Sequence, residues 1–331
     1  MSVRGFLVRE FGPAREHRIE SVQIPPLQPH EVLIRTRAAG VNYPDLLVME
    51  GKYQVRPPLP FVPGRDAAGT VEQIGESVKN VRVGDNVMCQ ISHGAWSERA
   101  VAAAIDCDPM PPSASFVDAA AMLTPPNTAY VALLGRAQIR PGEVVVVTGA
   151  SGSVGVACIQ IAVAVGAVPV AIVSNESKVD YVKSMGAAVC IVANASPDLK
   201  KTLRESLLKA TDGREADVVI DMVGGELFAA GLRLLRVGGR MVVVGFLSAI
   251  IPELKVNYLL LRNLAVLGAP VDINFRTDPA LRAAAIRFIH SQYELKSLRP
   301  TIKAALPFDR LPDALARAAD FAEPGRVVIT F

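Results

Sequence analysis

The sequence offers little to metal or disulfide chemistry. Its four cysteines, Cys89, Cys107, Cys158 and Cys190, form no Cys-x-x-Cys pair and do not bunch. That excludes a disulfide-stapled scaffold and the usual zinc-ribbon spacing, and four reduced, buried thiols are expected. The four histidines, His17, His30, His93 and His290, are scattered as well, so no metal site is expected from them. Charge of one sign is also missing. The 35 Lys and Arg stand against 32 Asp and Glu, a formal net charge of +3, without a basic cluster. Nucleic acid is therefore not expected as a partner. The first ten residues carry charge and lack an apolar h-region, so no secretory leader is expected and the cytoplasm is the expected compartment. The chain has neither internal repeats nor low-complexity segments.

One apolar run tests the soluble reading. Between Val154 and Val173 the only strongly polar side chain is Gln160, a length close to a bilayer span. Gly166 and Pro169 interrupt it. A buried helix followed by a short buried strand accounts for the run better than a membrane segment, and no membrane association is expected.

What is present suffices for two domains. The chain has 331 residues, 50% hydrophobic and 20% charged, enough to bury a large core. Its first third is rich in strand signals. Val32, Ile34, Thr36 and Ala38 alternate with polar positions, Gly69 to Ile74 reads as a further strand, and Pro-Pro, Pro-Gly and Gly-Asp pairs mark turns between such runs. After about residue 125 the pattern changes to apolar strands alternating with helices. Strands are expected at Val144 to Thr148, Val168 to Val173, Asp217 to Asp221, Arg240 to Gly245 and Leu264 to Ala269. Helices are expected at Val154 to Val165, Ser177 to Met185 and Gly225 to Arg236. Such alternation implies an α/β domain with a doubly wound parallel sheet of the Rossmann type. The tail, with helices near Pro279 to Gln292 and Leu311 to Phe321 and a strand at Arg326 to Thr330, is expected to return to the first domain.

The sharpest chemical signal is Val144-Val-Val-Val-Thr-Gly-Ala-Ser-Gly-Ser-Val-Gly155. An apolar strand enters a turn with glycines at 149, 152 and 155, and an apolar helix leaves it. Small residues there let the backbone approach a pyrophosphate, whose charge is met by free N–H groups at the helix start, here Gly152, Ser153 and Val154. The flanking strand and helix lift the motif above a chance match. The second strand ends at Ser174, where an NAD site would carry Asp or Glu for the ribose 2′-hydroxyl. Ser174 and Asn175 offer hydrogen bonds instead and Lys178 offers positive charge. Glu176 is expected to face solvent, and NADPH is the expected cofactor.

At this point the chain resembles the zinc-free quinone oxidoreductase branch of the medium-chain dehydrogenase/reductase family, over nearly its full length. The ordered segments that carry the resemblance are Ala39-Gly-Val-Asn-Tyr-Pro-Asp45, Gly51-Lys-Tyr53, Pro60-Phe-Val-Pro-Gly-Arg-Asp-Ala-Ala-Gly69, Val83-Gly-Asp-Asn-Val87, Gly94-Ala-Trp-Ser-Glu98, Thr128-Ala-Tyr130, the glycine turn, Asp221-Met-Val-Gly-Gly225 and Gly238-Gly-Arg-Met-Val-Val-Val-Gly245. The resemblance implies a β-rich, GroES-like catalytic domain from residues 1–124 and 271–331, with a Rossmann domain of residues 125–270 inserted in it. It further implies that Thr128 faces the nicotinamide ribose and that Val223, Gly245, Phe246, Ala269 and Val271 line the nicotinamide ring. Ala193 stands where relatives often carry a tyrosine against the 2′-phosphate, and Arg326 is either a substitute for that contact or a surface arginine. Relatives pair through the strand near Leu264 to Val271, so a homodimer is expected.

Zinc-dependent members of the family place a cysteine where this chain has Asn42 and a His-Glu pair where it has Arg65 and Asp66. Asn and Arg remove two of the thiolate and imidazole ligands that catalytic zinc needs, and no metal is expected. Hydrogen-bond donors must then stabilise the reduced acceptor. By resemblance these are Tyr53 and Asn42. A tyrosine stays protonated at neutral pH and can donate. Each has a plainer reading: Tyr53 as an anchored loop aromatic, Asn42 as a turn-stabilising side chain. Asp45 is expected to orient the loop or cap a helix. The leading expectation is hydride transfer from NADPH to a small-molecule quinone or enone. An enoyl thioester reductase using Tyr53 and a non-enzymatic NADPH-binding protein are the alternatives.

Overall fold

The chain opens with an antiparallel pair, β1 (Ser2–Leu7) and β2 (Arg18–Gln23). Strand β3 (Glu31–Val41) is the spine of the first unit. Val32, Leu33 and Ile34 near its start and Ala38 to Val41 at its end are all buried, because those stretches are covered on both faces. Helix α1 (Tyr43–Met49) follows, then β4 (Asp66–Ile74), β5 (Asn86–Gln90), β6 (Arg99–Ala103), β7 (Cys107–Pro109) and α2 (Phe116–Ala121). The computed structural model describes residues 1–193 and 198–331.

Helix α3 (Thr124–Tyr130) passes into a π-helical segment, Val131–Ala137, that ends on Gln138 in the left-handed region at φ 51°. The second unit then alternates as its apolar runs require: β8 (Val144–Thr148), α4 (Ser153–Ala164), β9 (Val168–Val173), α5 (Val179–Ser184), β10 (Val189–Val192), α6 (Leu199–Ala210), β11 (Ala216–Asp221), α7 (Gly225–Leu234), β12 (Leu235–Val243), α8 (Asn257–Arg262) and β13 (Ala265–Gly268). All six strands pair in parallel, in the order β10-β9-β8-β11-β12-β13. This is the doubly wound order, whose switch point lies between its first and fourth strands, here β8 and β11. Every residue of β8 is buried, which is what a central parallel strand of consecutive valines needs. The apolar run from Val154 to Val173 resolves into α4 and β9. Among the described residues no helix is long and apolar enough to cross a membrane.

Helices α9 (Val271–Thr277) and α10 (Pro279–Glu294) complete that unit. Strand β14 (Ile302–Pro307), helix α11 (Leu311–Ala319) and β15 (Arg326–Thr330) return to the first, where β15 pairs antiparallel with β3. The first sheet runs β14-β15-β3-β4-β5-β7, with β6 also on β3.

The two compact units are Met1–Thr124 with Arg299–Phe331, and Pro125–Leu298. The expected return to the catalytic unit at residue 271 is therefore corrected to Arg299. The reason is packing. Tyr130 meets Phe288 of α10 with ring centroids 5.4 Å apart. A Cβ on Gly135 would lie 3.2 Å from Leu281. Both contacts hold α10 to the nucleotide unit.

Candidate functional site: a dinucleotide turn and a buried polar cluster

In the nucleotide unit the glycine turn leaves β8 at the switch point. Gly152 is the N-cap of α4 and no side chain caps that helix, so the first-turn amides of Ser153 and Val154 face outward as donors for an anion. Gly155 has to be glycine: a Cβ there would lie 2.6 Å from the Gly149 carbonyl and 2.7 Å from Ala150 Cα. A larger residue would push the helix off the turn. The residues present thus fit a diphosphate, with backbone donors and no side chain in the way.

Asp221, at the end of β11, organises the facing wall. It is fully buried, and its carboxylate accepts from Thr148 Oγ1 at 2.7 Å and from the backbone N–H groups of Val223 at 3.2 Å and Gly224 at 3.1 Å. Burial pushes its pKa up, and these donors oppose the shift. Leu247 and Ser248 donate their amides to the carbonyls of Met222 and Val223, both at 3.0 Å. The loops after β11 and β12 are thereby zipped together, which brings Val223, Gly245 and Phe246 to one rim. Ala269 is buried just past β13 and bonds to Val243 O at 3.1 Å. Val271 is not a strand end, as expected, but the first residue of α9. Thr128 is buried on α3.

At the end of β9 the expected 2′-phosphate residues do come together. Lys178 is only 7% exposed, and its Nζ donates to Ser174 Oγ at 3.2 Å. Asn175 Nδ2 also donates to Ser174 Oγ at 3.4 Å, and Ser177 Oγ donates to Asn175 Oδ1 at 2.6 Å. Glu176 is exposed. Ala193 donates its amide to Val173 O at 2.8 Å, so the small residue expected beside this strand end stands there.

The catalytic unit holds a second constellation, and here the structure corrects two expectations. Arg326 is neither a surface arginine nor a phosphate contact. It is 3% exposed, forms an ion pair with the fully buried Asp66, and donates to Asn42 Oδ1 and to Ala121 O, both at 3.0 Å. Asn42 is no acceptor-facing donor, because both protons of its amide are already used. Nδ2 donates to Asp45 Oδ2 and to Asp66 Oδ2, each at 3.2 Å. Asp66 further accepts from Thr124 Oγ1 at 2.7 Å and from the Thr124 amide at 3.2 Å. A buried carboxylate is stable only when so paired. Gly40 is the cost-free neighbour, since any Cβ there would overlap the Arg326 guanidinium.

Asn42 also occupies the N-cap of α1, and Asp45 at N3 accepts from its backbone N–H at 2.8 Å. This is the helix-capping role expected of Asp45. Burial pushes the Asp45 carboxyl up to about 7; the Asn42 amide lowers it, Asp66 raises it, and Arg65 and Arg326 lower it. Tyr53 is half-buried in the irregular segment after α1. Nothing in the sequence singled out the pairing of Asp66 with Arg326. The only available signal was a single arginine beside an apolar C-terminal strand.

A Rossmann sheet with an uncapped glycine turn, carried with a separate β-rich unit, defines a nicotinamide-dependent class of oxidoreductase. The model of the alcohol dehydrogenase GroES-like domain matches residues 28–112, and that of the zinc-binding dehydrogenase matches residues 153–284. The mouse quinone oxidoreductase is 32% identical over 94% of this chain and 92% of its own length. Mouse quinone oxidoreductase-like protein 2 is 31% identical over 94% of this chain and 88% of its own. The crystal structure of a probable oxidoreductase from Mycobacterium abscessus superposes with a TM-score of 0.87 at 30% identity, covering 100% of this chain and 99% of that one. The chain belongs to the medium-chain dehydrogenase/reductase family, among its quinone oxidoreductase-like members.

Proposed function

We propose that the chain is an NADPH-dependent reductase that passes hydride to a quinone or a related conjugated carbonyl without zinc. The observation that carries the reading is the end of β9, where the buried Lys178 ammonium is aimed at Ser174 and no carboxylate occupies position 174. A carboxylate there would repel a 2′-phosphate; an ammionium and two hydroxyls attract one. The bound dinucleotide supplies the hydride. Gly152, Ser153 and Val154 hold its diphosphate through backbone amides, and Ser174, Asn175 and Lys178 hold the 2′-phosphate. Thr128, Val223, Gly245, Phe246, Ala269 and Val271 serve the nicotinamide end.

Zinc independence is supported by the catalytic unit's own cation. Arg326 already neutralises Asp66, and an amide stands at Asn42 where a thiolate ligand would be needed. With Asn42 spent internally, Tyr53 is left as the donor for charge developing on the acceptor oxygen. Quinones are favoured because two relatives covered along most of their length, the mouse quinone oxidoreductase and quinone oxidoreductase-like protein 2, carry that name. The exposed Leu260 and Leu261 beside the sheet-edge strand β13, 84% and 75% exposed, support a homodimer that covers this edge. A cytoplasmic location is part of the proposal, since four cysteines without a Cys-x-x-Cys pair suit a compartment that keeps thiols reduced.

The test is the initial rate of NADPH and NADH oxidation with quinones and 2-enoyl thioesters, for the native chain and Tyr53→Phe. Preference for NADPH and quinones upholds the reading. A preference for thioesters that Tyr53→Phe abolishes makes the chain an enoyl reductase. Tight NADPH binding with no turnover makes it a binding protein.

A further inference from the structure

Two cysteines in the catalytic unit face each other across an antiparallel ladder. Cys89 on β5 and Cys107 on β7 are direct register partners, and their Sγ atoms lie 3.0 Å apart. The type of pairing follows from the neighbouring bond. Met110 donates its amide to Asn86 O at 3.2 Å, so the hydrogen-bonded pairs are those of Asn86 and Met88, and Cys89–Cys107 is a non-hydrogen-bonded pair. Pro109, which has no N–H, sits opposite Val87 in the same kind of position. At such pairs the Cα atoms come to about 4.5 Å and the side chains are closest. That separation lies within the range a disulfide spans.

We propose that Cys89 and Cys107 form a redox modification site that closes to an intrachain disulfide when the protein meets a hydroperoxide. The Cys107 thiolate attacks one peroxide oxygen and the O–O bond breaks, giving a Cys107 sulfenic acid and a water or alcohol. The Cys89 sulfur then attacks the sulfenyl sulfur, its proton leaves with the hydroxyl as water, and the S–S bond forms. Two thiols lose two electrons and two protons; the peroxide takes up both.

Three features assign the roles. Cys89 is fully buried and donates its S–H to Cys107 Sγ. Burial, Cys107, Asp108 and Asp106 all push the Cys89 thiol well above its ordinary value, so Cys89 keeps its proton until the second step. Cys107 is 3% exposed and donates its S–H to Ala103 O at 3.5 Å, but it lies on β7, a three-residue strand at the sheet edge, two residues from Ile105, which is 72% exposed. Opening this short edge admits a small oxidant without unfolding the sheet. Cys158 and Cys190 belong to the other unit, where Cys158 lies on helix α4 and Cys190 pairs with Ala171 of β9.

The test uses the full reduced chain treated with hydrogen peroxide, then blocked, denatured and mapped without reductant. The expected result is loss of two of the four thiols, a mass lower by two hydrogens, and a linked peptide joining Cys89 to Cys107, all reversed by dithiothreitol. Cys107→Ser should abolish the bridge, and Cys158→Ser should leave it intact. Four titratable thiols after a dose that oxidises exposed methionine would overturn the proposal. So would stable oxygen adducts on either cysteine, or a bridge to Cys190, and these outcomes are read on the native sequence, whatever the fate of the variants.

Discussion

Replacing Arg326 by methionine removes the buried cation paired to Asp66 while filling most of its volume. Asp66 is 0% exposed and Arg326 3% exposed, so water cannot take over the neutralisation. Breaking a buried pair by removing one partner costs about 3–5 kcal/mol, because the remaining charge stays desolvated. The lost bonds to Asn42 Oδ1 and Ala121 O are part of the same cost, since a hydrogen bond involving a charged group contributes about 1.5–3 kcal/mol. A domain has about 5–15 kcal/mol in total, so the variant should survive with a much earlier urea midpoint. The assay is already in the molecule. Trp96 is the single tryptophan, is fully buried, and lies in the same unit as the pair, so its fluorescence reports that unit's unfolding. The double variant Asp66→Asn with Arg326→Met should cost less than the sum of the two single variants, as coupled neighbours do. A loss below about 1 kcal/mol for Arg326→Met, or strict additivity in the cycle, would refute the claim that a desolvated ion pair holds this site.

Two further predictions follow from single side chains. Asp45 has a folded value of about 7 against an ordinary 3.8, so between those pH values the folded chain holds a proton that the unfolded chain has lost. Stability should therefore fall as pH rises through that window and level off above it, by roughly 4 kcal/mol at about 1.4 kcal/mol per unit. Urea midpoints from pH 4 to 8 should show this slope, and Asp45→Asn should flatten it. Lys178→Ala should weaken NADPH binding about tenfold to a hundredfold, the loss of one charge-assisted bond, and leave NADH binding unchanged. Equal losses for both nucleotides in a fluorescence titration would show that Lys178 supports the fold and does not read the 2′-phosphate.

Local pattern and long-range partnership were not equally legible. Strands β8, β9 and β15 fall on the residues expected: the first two are apolar runs closed by Gly149 and Ser174, and the third is marked by Val327, Val328 and Ile329 after the turn at Pro324-Gly325. Strand β10 escaped notice: four residues, Val189–Val192, are too few to show a period. Helix α6 escaped because its core face is only Leu203 and Leu207 in a highly charged segment. The glycine turn was legible down to Gly155, since backbone proximity demands a residue type that a sequence displays directly. The cluster around Asp66 was not. What Arg326 does is decided by a carboxylate 260 residues away, and no neighbour of Arg326 records it. Asn42 shows the same division within one side chain. Its turn and cap preference is local and was readable, but the direction of its amide is set by Asp45, Asp66 and Arg326 together. Resemblance placed Asn42 at the acceptor; the hydrogen-bond count removes it, because an amide with two protons cannot serve two carboxylates and also an incoming oxygen. Under the proposed function the donor to the acceptor is therefore sought at Tyr53, and substitution there, not at Asn42, is the one that should separate turnover from folding.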